Sequence, residues 1–424
     1  MRSDFRVFLA GILFLSITNT AEAQWTQYTL PGGPSDRPGQ RQEEFEKEIE
    51  EARYHLGPVR IAPWISLRNA AYVRSLYSTG SEPPADWTAT VGAGFRAYLR
   101  TGRKVTWTVA ALPEYVWWKE QADRRRVNGR YGLGIHGFFN RLSVEVMADR
   151  EEQQQIVTPE IPELANARTD SFRLLSEVKL TGAISAFAVG SLTEQTALDD
   201  DLPDSRVDQI SLLDREDRSA RVGLRWRPRE PWMFGVGVER TSSDFAEGAL
   251  DRSNEGSSPV LEARYERRRI TVEADLAARS LEAREGAAFV AFEDVTGRAS
   301  VQWMAAGGLS FSVYGNRDLL YSLSPGYAYL SDERVGVAVL LEVIRQAQLR
   351  VFAETGTYDY TAFSPAAAPR REDVDSFGGQ VTVNVWRSVN LEISAVRSEF
   401  DSNLPGADRS YTSVGTTVSL LGGR

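Results

Sequence analysis

The sequence contains no cysteine. Disulfide staples and a lipid-modified cysteine anchor are therefore both excluded. A thiol-free chain is ordinary in the cytosol; behind a secretory leader it suits a compartment where stray thiols are oxidised. Lysine is scarce beside arginine, and only 2 histidines occur in 424 residues. The net charge of −9, with a pI near 5.2, argues against nucleic acid as a partner. Mean hydropathy is −0.33. After the leader no stretch stays apolar for anything near ~20 residues, which excludes a bundle of transmembrane helices. A membrane β-barrel remains open, because half of each barrel strand is polar.

What is present is alternation, clearest in residues 219–244. Ala220, Val222, Leu224 and Trp226 alternate with Arg221, Gly223, Arg225 and Arg227. After a proline-bearing break at 228–231, Trp232, Phe234, Val236 and Val238 alternate with Met233, Gly235, Gly237 and Glu239. Period-two patterning around a short break reads as an antiparallel hairpin with one apolar and one polar face. A soluble sandwich buries the apolar face, whereas a membrane barrel turns it to lipid and keeps the polar face in a watery lumen.

Residues 1–23 read as a signal peptide: Arg2 and Arg6, an apolar core, then Ala21-Glu22-Ala23 for cleavage. Residues 24–57 form a linker and a short acidic helix, expected over 41–55 on the periplasmic side. Phe45, Ile49, Ala52 and Leu56 make a narrow apolar stripe among glutamates. The helix leans on the barrel rim, or it plugs the barrel or meets a periplasmic partner. Residues 58–424 carry 18 alternating segments. Tight turns near 101–103, 139–140, 181–182, 228–231, 267–268, 305–307, 345–346 and 387–388 alternate with long polar stretches such as 153–169, 196–217, 318–332 and 361–373. Loops sorted by parity are an outer-membrane barrel pattern, not an immunoglobulin one. The expected fold is all-β: a transmembrane antiparallel up-and-down barrel of about 18 strands. Trp107, Trp226, Trp232 and Trp303 stand on the apolar face beside short turns, with Phe138 and Trp386 flanking two more, as an interfacial aromatic girdle would.

Several local motifs invite other chemistry. Gly132-Leu-Gly134-Ile-His136-Gly137 spells a dinucleotide fingerprint, but it lies on an alternating strand with no helix to receive a pyrophosphate. His136 faces Ser143 if 139–140 is the turn, and that pair carries a lumenal esterase or phospholipase as a minor alternative. Asp199, Asp200, Asp201 and Asp204 fit a solvated loop better than a Ca²⁺ site, so no metal or cofactor is expected. Arg267, Arg268 and Arg269 mark a plain or phosphate-facing rim. By parity the lumen collects Arg60, Arg68, Arg96, Arg100, Arg173, Lys179, Arg221, Arg225, Arg264 and Arg279. Against them stand Glu114, Glu145, Glu177, Glu239, Glu262, Glu273, Asp275, Glu354 and Glu392. Near balance of sign names no permeant ion; cross-strand salt bridges bracing the wall are the plainer reading.

The run Leu56-Gly57-Pro58-Val59-Arg60-Ile61-Ala62-Pro63, entered from an acidic helix, resembles the opening of the type 2 β-barrel porin family of outer-membrane proteins. That resemblance implies a Gram-negative outer-membrane barrel, in some members associated with polysaccharide export. The expected function is a monomeric or trimeric diffusion channel, passive or weakly selective, for small polar solutes. Its surroundings would be outer-membrane lipid and lipopolysaccharide, and no nucleic acid or enzymatic activity is expected. The alternative is a non-conducting accessory barrel of an export or surface-assembly system.

Overall fold

The computed structural model describes residues 49–50, 52, 54–74, 85–160, 165–198, 206–246, 251–305, 307–324, 326–386 and 389–421. The leader, the linker, the acidic loop 199–204 and most of the expected helix lie outside the described residues. Of that helix, Ile49 and Glu50 are helical.

Eighteen antiparallel strands close into a ring, and one short strand lies outside it. Each ring strand pairs with its neighbours in sequence. The last, Arg409–Leu421, pairs with the first, Val59–Arg74, through Val418↔Leu67 and Leu421↔Trp64. The expected strand number is met. The ring is inside out relative to a soluble protein. Val222 and Val238 are 59 % and 55 % exposed, whereas Arg221 and Glu239, one residue away on the same hairpin, are 3 % and 0 % exposed. That inversion is what period two requires when lipid surrounds the sheet and charge is kept within it.

Three expectations need correction. The helix does not continue to His55: Tyr54–Leu56 is a strand that folds back on Val59, Arg60 and Ile61. The turn between them needs Gly57 at φ +60°, a left-handed conformation that glycine adopts without strain. Leu56 is therefore exposed, not part of a docking stripe. The strands also run further at the long-loop end than alternation implied. Leu309–Tyr321 and Tyr327–Ile344 stay paired up to Tyr321↔Tyr329, so Asp318 and Asp332 face each other within a ladder instead of lying in a loop. Beyond the lipid belt a strand needs no apolar face, and its sequence signal fades. Finally, Phe138 shares the inward parity of His136, and Phe139 is the exposed ring at that turn. Trp386 has its side chain outside the described residues.

Glycine matters where aromatic rings cross the inner wall. A Cβ on Gly223 would meet the Val236 carbonyl at 2.3 Å and the Phe187 ring at 2.8 Å. The ring of Phe187 fills that space and carries the Arg225 guanidinium 4.2 Å from its centroid.

The facing of the hairpin is directly testable. Val236→Arg puts a charge in the lipid belt and should cost about 2–4 kcal/mol of barrel stability. Gly235→Arg, placed beside the Glu262 carboxylate, should cost clearly less. Heat-modifiable gel migration after folding into vesicles separates the two, and equal damage would contradict the register.

Candidate functional site

The inward charges form cross-strand networks. Arg221 lies 3.4 Å from Glu239, 3.5 Å from Glu262 and 3.1 Å from Asp275. Arg225 lies 2.8 Å from Glu262 and 3.1 Å from Glu177, and Arg264 is 3.5 Å from Glu273. Arg173 meets Asp149 at 3.2 Å. Arg68 donates to Glu114 at 2.9 Å, and Arg130 approaches the same carboxylate at 3.6 Å. Arg60 donates to the Ile49 carbonyl at 2.9 Å. Arg96 lies opposite Ala62 and Ala110, Glu392 opposite Thr382 and Thr417. Arg100 and Lys179, at the short-turn end, are exposed. Arg279 is 4 % exposed, and Glu354 pairs with Arg334 at 3.0 Å, beside Asp332 at 2.7 Å. Parity did not single out Arg130 or Arg334, which the alternation of their own strands would have found; Asp332 lies at the long-loop end, where that signal fades.

Balance in number hides a separation in space. The arc of strands 59–138 turns Arg60, Arg68, Arg96, Arg100 and Arg130 inward, with Glu114 among them. Across the ring, the arc 232–304 turns Glu239, Glu262, Glu273 and Asp275 inward, with Arg264, Arg279 and Arg298 among them. Outside, Trp107, Trp226, Trp232 and Trp303 are 40 %, 52 %, 45 % and 48 % exposed beside short turns.

His136 is not opposite Ser143. The turn takes 139–142, two residues more than the pattern implied, so His136 pairs with Glu145 and Phe138 with Ser143. The imidazole Nδ1 is 3.2 Å from the Glu145 carboxylate, and Nε2 is 3.3 Å from the Thr108 hydroxyl. A hydroxyl, an imidazole and a carboxylate are thus in line. The strand amides around them are committed to ladder pairing, so backbone N–H groups do not form an oxyanion hole there.

The long-loop mouth is filled from within the chain. Segment 156–160 leaves its own wall and reaches the far one. The Leu323 N–H and the Ser322 hydroxyl donate to the Glu160 carboxylate at 2.5 and 3.0 Å, and Arg370 lies 3.6 Å away. Arg409 donates to the Pro159 carbonyl at 3.2 Å. Ile210 and Leu213, from the 3-10 helix Arg206–Leu213, join Phe289, Phe292, Leu319 and Tyr329 in a buried cluster. A second cluster around Leu330, Tyr358 and Phe400 packs against Ile156. At the opposite end Ile49 and Ala52 are buried against Tyr98.

These features define a large transmembrane β-barrel with a charged interior and an internally packed mouth. No protein-family model and no curated protein sequence matches the chain. Among solved structures it is similar to a BenF-like porin from Pseudomonas fluorescens Pf-5, with TM-score 0.52 and 11 % identity over 86 % of this chain and 99 % of that one. It is similar to OccK9 (OpdG) of Pseudomonas aeruginosa, with TM-score 0.52 and 11 % identity over 85 % and 98 %. The FrpB iron transporter (F5-1 variant) from Neisseria meningitidis matches 82 % of this chain at 10 % identity and TM-score 0.46; this chain spans 64 % of that protein's length. At such identities the likeness is one of fold.

Loop docking should depend on pH. Burial holds the Glu160 carboxyl above the usual carboxylate range, outweighing the Leu323 N–H, Arg370, the Ser322 hydroxyl and Arg409. A raised pKa in the docked state means docking is firmest in acid and weakens as pH rises through that value. Hydrogen exchange of segment 156–160, corrected for intrinsic rates, should show greater protection at acid than at mildly alkaline pH. Glu160→Gln should flatten the difference; an unchanged profile in that variant would contradict the assignment.

Proposed function

We propose that the chain is a porin-like diffusion channel of the bacterial outer membrane, passing small polar solutes passively or with weak selectivity. The observation that carries this is the inverted ring, which exposes valine and tryptophan outside and holds arginine and glutamate inside. A barrel of 16–18 strands is wide enough to leave an aqueous passage. The resemblance of residues 56–63 to the type 2 porins and the fold likeness to the BenF-like porin support the same reading. In this orientation the short turns and their tryptophans face the periplasm, the packed mouth faces outward beside lipopolysaccharide, and the leader is removed after Ala23. The N-terminal segment leans on the barrel itself: Ile49 and Ala52 lie against Tyr98, which favours a plug over a separate periplasmic partner.

A second reading, a non-conducting accessory barrel, is favoured by the buried clusters at the mouth, where Leu319 and Leu330 have no exposure. Single-channel recording of the refolded mature protein in a planar bilayer separates the two. A channel should conduct. Arg221→Gln with Arg225→Gln should then leave Glu177, Glu239, Glu262 and Asp275 in excess and move the reversal potential in a salt gradient toward cations. Insertion without conductance would put the accessory reading ahead.

A further inference from the structure

Two short turns on the exterior meet and pool their charge. Turn 227–231 is tied to turn 267–269 by the Glu266 N–H, which donates to the Pro231 carbonyl at 3.2 Å, and the Met304 N–H donates to the Arg269 carbonyl at 2.7 Å. Arg229, Arg267, Arg268 and Arg269 are exposed, and among the described residues none of them makes an ion pair. Their neighbours are already matched: Arg227 pairs with Glu177 at 2.9 Å and Arg264 with Glu266 at 3.1 Å. Of the carboxylates in the two turns, only Glu230 remains to offset them. The exterior at the long-loop end is built differently. There Arg150, Arg218, Arg317 and Arg397 have Asp170, Glu216, Asp294 and Glu399 beside them. Below the two turns the lipid-facing wall carries a floor of rings. Trp232 stacks on Phe234 with centroids 5.4 Å apart and meets Tyr265 at 4.6 Å, and Trp226 lies 6.1 Å from Phe234. Trp303, opposite Ile270, extends the floor and stacks on Phe311 at 5.7 Å.

We propose that this patch binds an anionic phospholipid of the phosphatidylglycerol type, with the guanidiniums on its phosphate and the rings beneath its glycerol esters. Clustered guanidiniums at a membrane surface attract anionic headgroups, and each forms paired N–H···O bonds to a phosphate. The rings select a lipid over a free phosphate, because amphipathic aromatics seat at the boundary where headgroup gives way to chain. A zwitterionic headgroup carries its own ammonium, which the unmatched arginines repel. The chain's own acidic N-terminal segment is drawn elsewhere: Ile49 and Ala52 are buried against Tyr98, on the arc across the ring from these turns. The proposal rests on the channel reading only for the leaflet it meets, which in that orientation is the periplasmic one.

The test is native mass spectrometry of the refolded mature protein released from detergent micelles, with phosphatidylglycerol and phosphatidylethanolamine of matched chains supplied together. Phosphatidylglycerol adducts should predominate, and the preference should shrink as ammonium acetate is raised. Arg267→Gln with Arg268→Gln should lower phosphatidylglycerol retention roughly 25-fold, at about fivefold per guanidinium, and leave phosphatidylethanolamine unchanged. The same charge loss made elsewhere on the rim, Arg103→Gln with Lys104→Gln, should leave the preference intact. Equal retention of the two lipids by the wild type, or an equal loss in the control pair, would overturn the proposal. So would displacement of the lipid by glycerol phosphate at equal concentration, which would mark a plain phosphate site. A preference that emerges only after deletion of 24–48 would give the patch to the acidic segment and overturn it too. If the double variant does not fold by heat-modifiable migration, Arg268→Gln alone is read, and an unchanged preference contradicts the site. A silent bilayer would remove the channel reading only, since adduct formation does not depend on conduction.

Discussion

The structure depends on one constraint: inside lipid, no backbone N–H or C=O can be left without a partner. A sheet meets that only by closing, and Arg409–Leu421 closes it on Val59–Arg74. Closure then fixes everything else about the wall. With no free edge, each residue is committed to one face, and a slip of one position would put Arg221 in lipid and Val222 in the interior. The hairpin 215–245 tolerates neither, so its alternation is strict where it crosses the membrane and relaxes beyond it.

A closed wall imposes an electrostatic problem that the interior solves by pairing. Charges such as Glu239 and Arg334, at 0 % and 3 % exposure, are far enough from bulk water that a missing partner would cost several kcal/mol. They are arranged as shared clusters: one guanidinium spans three carboxylates at Arg221, and Asp332 and Glu354 flank Arg334. The same clusters leave opposite arcs with opposite excess, so a solute in the lumen would feel a field across the barrel as well as along it. At the mouth the logic changes. There the chain brings its own carboxylate, Glu160, to Ser322, Leu323 and Arg370 on the far wall, so the mouth is packed by a loop contact as well as by the wall.

Most of the wall was legible in the sequence, and the mouth was not. Strand number, facing and the tryptophan positions follow from period two and from which connections are short, both local properties. The partner of His136 was missed because register depends on turn length, and 139–142 closes two residues later than a minimal turn. The short strand Tyr54–Leu56 escapes the pattern because its glutamate-rich approach has helical spacing, whereas Gly57 and Pro58 make the turn of a hairpin onto Val59–Ile61. Glu160 meets Ser322 across 162 residues of sequence, and no periodicity encodes such a contact. Arg252, Arg370 and Arg409 lie at strand ends or in loops, where alternation carries no information.

The central claim is that one parity of the wall meets lipid and the other meets water, and the absence of native cysteine makes it simple to measure. Single spin-labelled cysteines placed from Met233 to Thr241, in the folded barrel in vesicles, report collision with oxygen and with a water-soluble nickel complex. Labels at Phe234, Val236 and Val238 should favour oxygen, and labels at Met233, Gly235 and Thr241 should favour nickel, alternating along the strand. A flat profile, or alternation with the opposite phase, would contradict the account.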